Sequence, residues 1–383
     1  MSAFSAPPDE YLQANPREGH LVWDRFIRVF HWSLVASVTI ALISGLALDA
    51  TWSRLHLVSG TFAVALVSAR IVWGFTGPAY ARFSGFVPSR QQVVAYLKRG
   101  TGHMRHLGHN PLGALMVLAL LALILGLGAT GLAALGSGLK TGPLAAILPA
   151  SQGGVWSEIH ETAALALLGL IVLHLGGVIF ESRRSGENLP RAMITGRKAR
   201  RMGDIAAPAR TAHPIVAVLS VSGLLLVSAL AVTDLSQRPL SNPPVAVIPP
   251  VYSAECAACH MAYHPATRPA ASWQVMMTGL QDHFGEDASL PQETAAQIST
   301  WLRRHAADTT DSKPATLWAG LRDTTPVALP DTAQWKRLHD SVDADTFRRA
   351  PVYSRSNCVA CHADAETGWF SPFRITLPKE PTP

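Results

Sequence analysis

Residues 158–177 read EIHETAALALLGLIVLHLGG, an apolar run of membrane length that carries two histidines, His160 and His174. An unsatisfied polar group inside hydrocarbon costs several kcal/mol, so imidazoles in such a run need a reason. They stand 14 residues apart. On an α-helix 14 steps of about 100° return to within about 40° of the starting face. The same steps climb roughly 21 Å. Both rings therefore share one face at opposite ends of a span, a spacing that suits two groups bound one above the other.

The rest of the chain supports a membrane reading. It has 383 residues, 48% hydrophobic and only 15% charged, with a positive mean hydropathy. That is too apolar for an ordinary soluble protein of this size. Five segments are long and apolar enough to cross a bilayer: 29–49, 55–76, 112–135, 156–180 and 214–233. The polar first 26 residues lack the plan of a removable signal peptide. From Asp234 onward no window could span, so a membrane half is followed by a soluble half.

Lys and Arg near the spans set the orientation. Sixteen lie in the N-terminal segment and the connections between spans two and three and between spans four and five. The other two connections hold only Arg54 and Lys140. The asymmetry places the N-terminus in the cytoplasm and, after five spans, the C-terminal half outside. The basic pI is thus a topology signal. Residues 234–383 hold 16 acidic against 13 basic side chains, which gives no sign of nucleic-acid binding.

All four cysteines fall in CAACH (256–260) and CVACH (358–362). CxxCH attaches c-type haem: the thiols of Cys256 and Cys259, and of Cys358 and Cys361, form thioethers, and His260 and His362 become proximal iron ligands. A zinc site or two disulfides would use the cysteines but leave the following histidines unexplained. Sixth ligands have several candidates, namely His264, His283, His305, His339, Met261, Met276 and Met277, and spacing alone does not choose among them.

Span one opens VFHWSLV with His31, and span two opens LHLVSG with His56. An ionisable group within a span is a functional hypothesis by default. With alternating span direction the four imidazoles sort into two levels, His31 with His174 inside and His56 with His160 outside. Two bis-histidine haems b stacked in a four-helix bundle use all four. Gly60, Ala164 and Gly177 follow three of these ligands by one turn and leave room for a porphyrin face, whereas His31 has Val35 there. Polar residues that merely bond between helices are the competing explanation, and two matched levels weigh against it. Arg70 fits either a haem propionate or the cytoplasmic headgroups. His109, in HNPLG, reads most simply as a solvated interfacial histidine, with propionate or quinone chemistry as the alternative. Trp32, Trp52, Trp73 and Trp156 read as an aromatic belt.

The stretches VWDRFIRVFHWSL, LHLVSGTFAVALVSARIVWGFTGP, HNPLG and EIHETAALALLGLIVLH together resemble the bacterial cytochrome b561 family, which includes hydrogenase-type b cytochromes, over about residues 20–200. That resemblance implies four helices holding two haems b on His31, His56, His160 and His174. ECAACHMAY, SWQVMMTGLQDHFGEDASL and SRSNCVACHADAETGWF resemble the diheme cytochrome c (DHC) family over about residues 250–378. That second resemblance implies bis-histidine haems c with His283 and His339 as distal ligands. Where relatives tend to read YPP after the first CH, this chain has AYHP, so His264 is an extra histidine that could compete as a ligand.

The expected architecture is all-α. Residues 1–26 form a cytoplasmic segment and 27–200 the four-helix diheme b domain. A basic connection and fifth span occupy 201–233, a proline-rich tether 234–252, and a mostly helical periplasmic diheme c domain 253–383. The expected activity is electron transfer between membrane quinone or quinol and a periplasmic redox protein. Alternatives are a superoxide:quinone oxidoreductase and an anchor subunit of a larger dehydrogenase or hydrogenase. Implied partners are bilayer lipid, quinone and the periplasmic protein, with a homo-oligomer as a further option. The resemblance places the chain in the bacterial inner membrane.

Overall fold

The computed structural model describes residues 19–98, 106–199, 204, 212–237, 247–321 and 327–378. Most of the expected N-terminal segment, His103 and residues 238–246 of the tether lie outside the described residues.

Five described helices are long and apolar enough to cross a membrane, at the places the sequence marks, and the chain is a multi-pass membrane protein. They are α1 (Arg25–Leu46), α2 (Ser53–Thr76), α5 (Pro111–Gly138), α6 (Gly153–Ser185) and α8 (Pro214–Gln237). Short helices α3 (Phe83–Phe86) and α4 (Arg90–Lys98) lie between α2 and α5, and α7 (Leu189–Thr195) follows α6. The starts are written locally. Asp24 caps α1 by accepting the Ile27 N–H at 2.9 Å, and Asn110 caps α5 by accepting the Gly113 N–H at 2.7 Å, with Pro111 at the first helical position where a missing N–H costs nothing. Within α5 no charged residue interrupts the apolar run. The apolar window of α8 buries none of its residues against protein, as befits a helix whose neighbours are lipid.

By backbone proximity the chain forms two compact units. The first comprises 1–39, 59–127 and 163–230. Its core gathers Val22, Trp23, Ile27, Trp73, Ala81, Leu107 and Ala192, and a two-residue ladder pairs β1 (His20–Leu21) antiparallel with β2 (Arg197–Lys198), His20 opposite Lys198. Trp73 does not join an aromatic belt. It is buried, and its indole N–H donates to Asp24 Oδ2 at 3.1 Å, so the polar edge is satisfied inside the protein. Trp32 and Trp52 are exposed, as a belt requires.

The second unit comprises 40–58, 128–162 and 231–383. It joins the ends of α1, α2, α5 and α6 around the 47–52 and 139–152 turns to the C-terminal part. That part contains α9 (Pro250–Cys256), α10 (Ala270–Thr278), α11 (Gln292–Arg304), α12 (Lys313–Trp318) and α13 (Ala333–Leu338), linked by short 3-10 turns. Helix α11 is amphipathic and sets Ile298 and Leu302, each 1% exposed, against Tyr252, Trp273 and Met276. Burying each of those two side chains contributes about 1.5–3 kcal/mol. A second cluster unites Ala315, Trp318, Leu329 and Trp335.

Candidate functional site

In the second unit the rings of His56 and His160 face each other with centroids 5.9 Å apart. His56 Nδ1 lies 2.9 Å from the Ala41 carbonyl oxygen, and His160 Nδ1 lies 3.0 Å from Thr130 Oγ1. A carbonyl can only accept, so His56 carries its proton on Nδ1 and presents Nε2 as the metal-binding lone pair. Gly45 lets α1 approach this ring: an added Cβ would sit 2.8 Å from it. Two imidazole–metal bonds of about 2.0–2.1 Å, with each centroid about 1 Å further back, put bis-histidine rings roughly 6 Å apart. The observed pair fits an iron between the rings.

In the first unit His31 and His174 are near enough to interact electrostatically, and His31 Nδ1 is buried with no hydrogen-bond partner. A methyl added at Gly60 or Gly177 would meet nothing within 4 Å. His109 is not freely solvated, and its Nδ1 is buried. Its ring lies between Trp23, at 4.8 Å, and Phe86, at 4.9 Å. Burial, followed by the nearby charges of Arg70 and Lys198, holds it down to about 3, so it is neutral. Arg70 likewise does not reach headgroups: it is 3% exposed, donates Nη2 to the Ala81 carbonyl at 2.9 Å and stands over the Phe83 ring.

The C-terminal part holds two further imidazole pairs. His260 faces His283 with centroids 6.1 Å apart, and His362 faces His339 at the same distance. Both match the bis-histidine separation. His260 Nδ1 donates to the Met261 carbonyl at 2.6 Å and His339 Nδ1 to the Trp335 carbonyl at 2.9 Å, leaving Nε2 of each for metal. His283 is aimed by a tight turn in which Phe284 and Gly285 take positive φ and Asp282 accepts the Gly285 N–H at 3.0 Å. Burial lowers the proton affinity of His283 and His339, and takes His362 down to about 4 with the help of His339 and Lys313. Neutral imidazole is the ligating form.

The remaining sixth-ligand candidates have neighbours of their own. Met276 is core and Met277 packs against it. Met261 is buried. His305 Nδ1 donates to the Trp301 carbonyl at 2.9 Å. His264 is 1% exposed, accepts the Ala266 N–H at 3.2 Å through Nδ1 and packs under Gly368, where a Cβ would come within 2.4 Å of its ring. Burial takes His264 down to about 4. The four cysteines form no disulfide. Among the described residues no three His, Cys, Asp or Glu side chains converge as a metal cage.

Sequence reasoning missed the aromatic slot of His109 and the stacking of Trp335 on His339. The local signal was HNPLG itself, whose Asn cap and Pro fix His109 two residues before α5.

Comparison with known proteins agrees on both parts. The family model for prokaryotic cytochrome b561 matches residues 22–196, and that for dihaem cytochrome c matches residues 252–370. A crystal structure of DHC from Rhodobacter sphaeroides is 40% identical, covering 33% of this chain and 99% of that one, with a TM-score of 0.27. The diheme cytochrome c of Shewanella baltica OS155 is 32% identical, covering 34% of this chain and 94% of that one, with a TM-score of 0.28. A comparison with curated proteins gave no match. The chain belongs to the prokaryotic cytochrome b561 family in its N-terminal half and to the dihaem cytochrome c family in its C-terminal part, a membrane protein that carries electrons through haem b and two haems c.

Proposed function

We propose that the protein passes electrons from membrane quinol through two stacked haem b sites to two haem c sites, and on to a soluble periplasmic redox protein. The N-terminus is cytoplasmic and the haem c part periplasmic, as the bias of Lys and Arg among the connections requires. His31 with His174 and His56 with His160 are the ligand pairs of the inner and outer haem b. His260 with His283 and His362 with His339 are those of the haems c, attached through Cys256, Cys259, Cys358 and Cys361.

The observation that carries the reading is the repeated separation of 5.9, 6.1 and 6.1 Å between facing imidazoles. A bis-histidine iron supplies one-electron transfer and offers no open position for oxygen or peroxide. The chain's own residues do the rest. Carbonyls of Ala41, Met261 and Trp335 fix ligand tautomers, and the apolar helices keep water from the membrane pairs.

Two measurements test this. Covalent haem staining with pyridine extraction of the remainder should give about two c and two b per chain, the count the ligand pairs require. In proteoliposomes quinol should reduce all four. Failure of quinol to reduce any haem in a fully loaded protein sinks the quinol reading.

A further inference from the structure

We infer that the second CxxCH site, His362 with His339, receives electrons from the His56–His160 level, and that Asp311 clamped on Lys140 holds it in place. The first site, His260 with His283, is then the exit. This rests on the electron-transfer reading above and adds the order and the contact that enforces it.

One short segment, residues 370–376, touches both places. On one side it builds the second attachment site: Thr376 N–H donates to the Cys361 carbonyl at 2.9 Å, His362 bridges to Ile375, and the Phe370 ring lies 5.3 Å from that of His362. On the other, its Pro372–Arg374 turn packs on the Ala50–Trp52 turn. Arg54, two residues before His56, donates to the Phe373 carbonyl at 3.3 Å.

The clamp is built at a cost that marks it as more than incidental. Lys140 is a non-glycine residue at φ 51°, a left-handed backbone that L side chains disfavour. Its side chain is 5% exposed. The ammonium donates to the Leu148 carbonyl at 2.9 Å and to Asp311 Oδ2 at 2.7 Å. Asp311 Oδ1 accepts the Ala150 N–H at 2.6 Å. Asp311 itself is 51% exposed, so the burial is on the Lys140 side, and removing Asp311 takes the anion from a buried ammonium. Two residues after Asp311, Lys313 donates to the Phe370 carbonyl at 3.0 Å. The clamp and the attachment site of His362 are therefore joined through three consecutive residues. By contrast Ala257, Ala258 and Cys259 of the first attachment site are exposed, as an exit to a soluble partner requires.

Each transfer would move one electron from the group held by His56 and His160 to the group held by His339 and His362, with no bond formed or broken. Arg54 and Lys140, the two cations of these turns, are both engaged by the C-terminal part.

The test uses the full-length, haem-loaded protein. A carbodiimide should join Lys140 to Asp311, read as a linked peptide by mass spectrometry. Asp311→Asn should raise amide exchange in residues 148–152 and 370–376 at unchanged haem content, and slow haem c reduction roughly tenfold, since a tether alone supplies only about millimolar effective concentration. His339→Ala opens the second haem to carbon monoxide. With the gas present, quinol should then reduce haem b and leave the first haem c oxidised, whereas His283→Ala with carbon monoxide should leave reduction of the second haem c intact. Absence of the linked peptide with unchanged exchange overturns the clamp. Continued reduction of the first haem c in the gas-treated His339→Ala protein overturns the order. If quinol reduces nothing, the quinol reading fails, while photochemical injection of electrons into haem b still decides the order.

Discussion

The indole of Trp335 lies flat on the ring of His339, centroids 4.1 Å apart and planes 17° from parallel. The same residue's carbonyl accepts the His339 Nδ1 proton. One residue thus fixes both the tautomer and the plane of a distal ligand. Truncation keeps the carbonyl and loses the plane. Trp335→Ala should destabilise the C-terminal part by about 3–5 kcal/mol and convert the second haem c partly to high spin, read by absorption and EPR. Trp335→Phe should keep it low spin.

Gly45 is where α1 passes the His56 ring, with only 2.8 Å available to a Cβ. Gly45→Val should displace that ring and remove one of the two haem b signals while covalent haem c is unchanged. Retention of both b signals in redox titration would mean that the helices adjust without disturbing the ligand.

His174→Ala should remove the inner haem b and leave the outer one and both haems c. Pyridine haemochrome analysis should then give about half the non-covalent haem, the share expected for one of two bis-histidine pairs. If the outer signal disappears and the inner one stays, the pairing of ligands by level is wrong.

His264 has its proton affinity lowered by burial to about 4, against an ordinary value of 6.5. Between these values the unfolded chain binds a proton that the folded chain does not, so stability falls as pH drops through this window and is full above it. Thermal unfolding of the loaded protein should show a lower midpoint at pH 5 than at pH 7, taken here as approximate settings on either side of the ordinary histidine value. His264→Gln should flatten that dependence.

What was legible in the sequence was whatever is encoded by neighbours along the chain. Span lengths, the 14-residue spacing of His160 and His174, and the two CxxCH motifs are local patterns. Which imidazole faces which in the C-terminal part was not legible, because His260 meets His283 across a tight turn and several short helices. Burial was misread at Trp73 and His109, both near span ends. Trp73 looked like a belt residue until Asp24 supplied a partner for its N–H. His109 looked solvated until Trp23 and Phe86 closed around it. A polar side chain's environment depends on partners distant in sequence, and hydropathy carries no record of them.

Gly368, at φ 74°, lies over His264, which belongs to the stretch just after the first attachment site, while Gly368 itself follows the second. The faint sequence echo between those sites, a Tyr-Ser pair before each, invites a picture of two beads on a string. The wedge of one into the other makes them a single cooperative body. Neither half has a complete interior alone, so the pair should melt in one transition, and cutting the chain between them should yield no independently folded monohaem module.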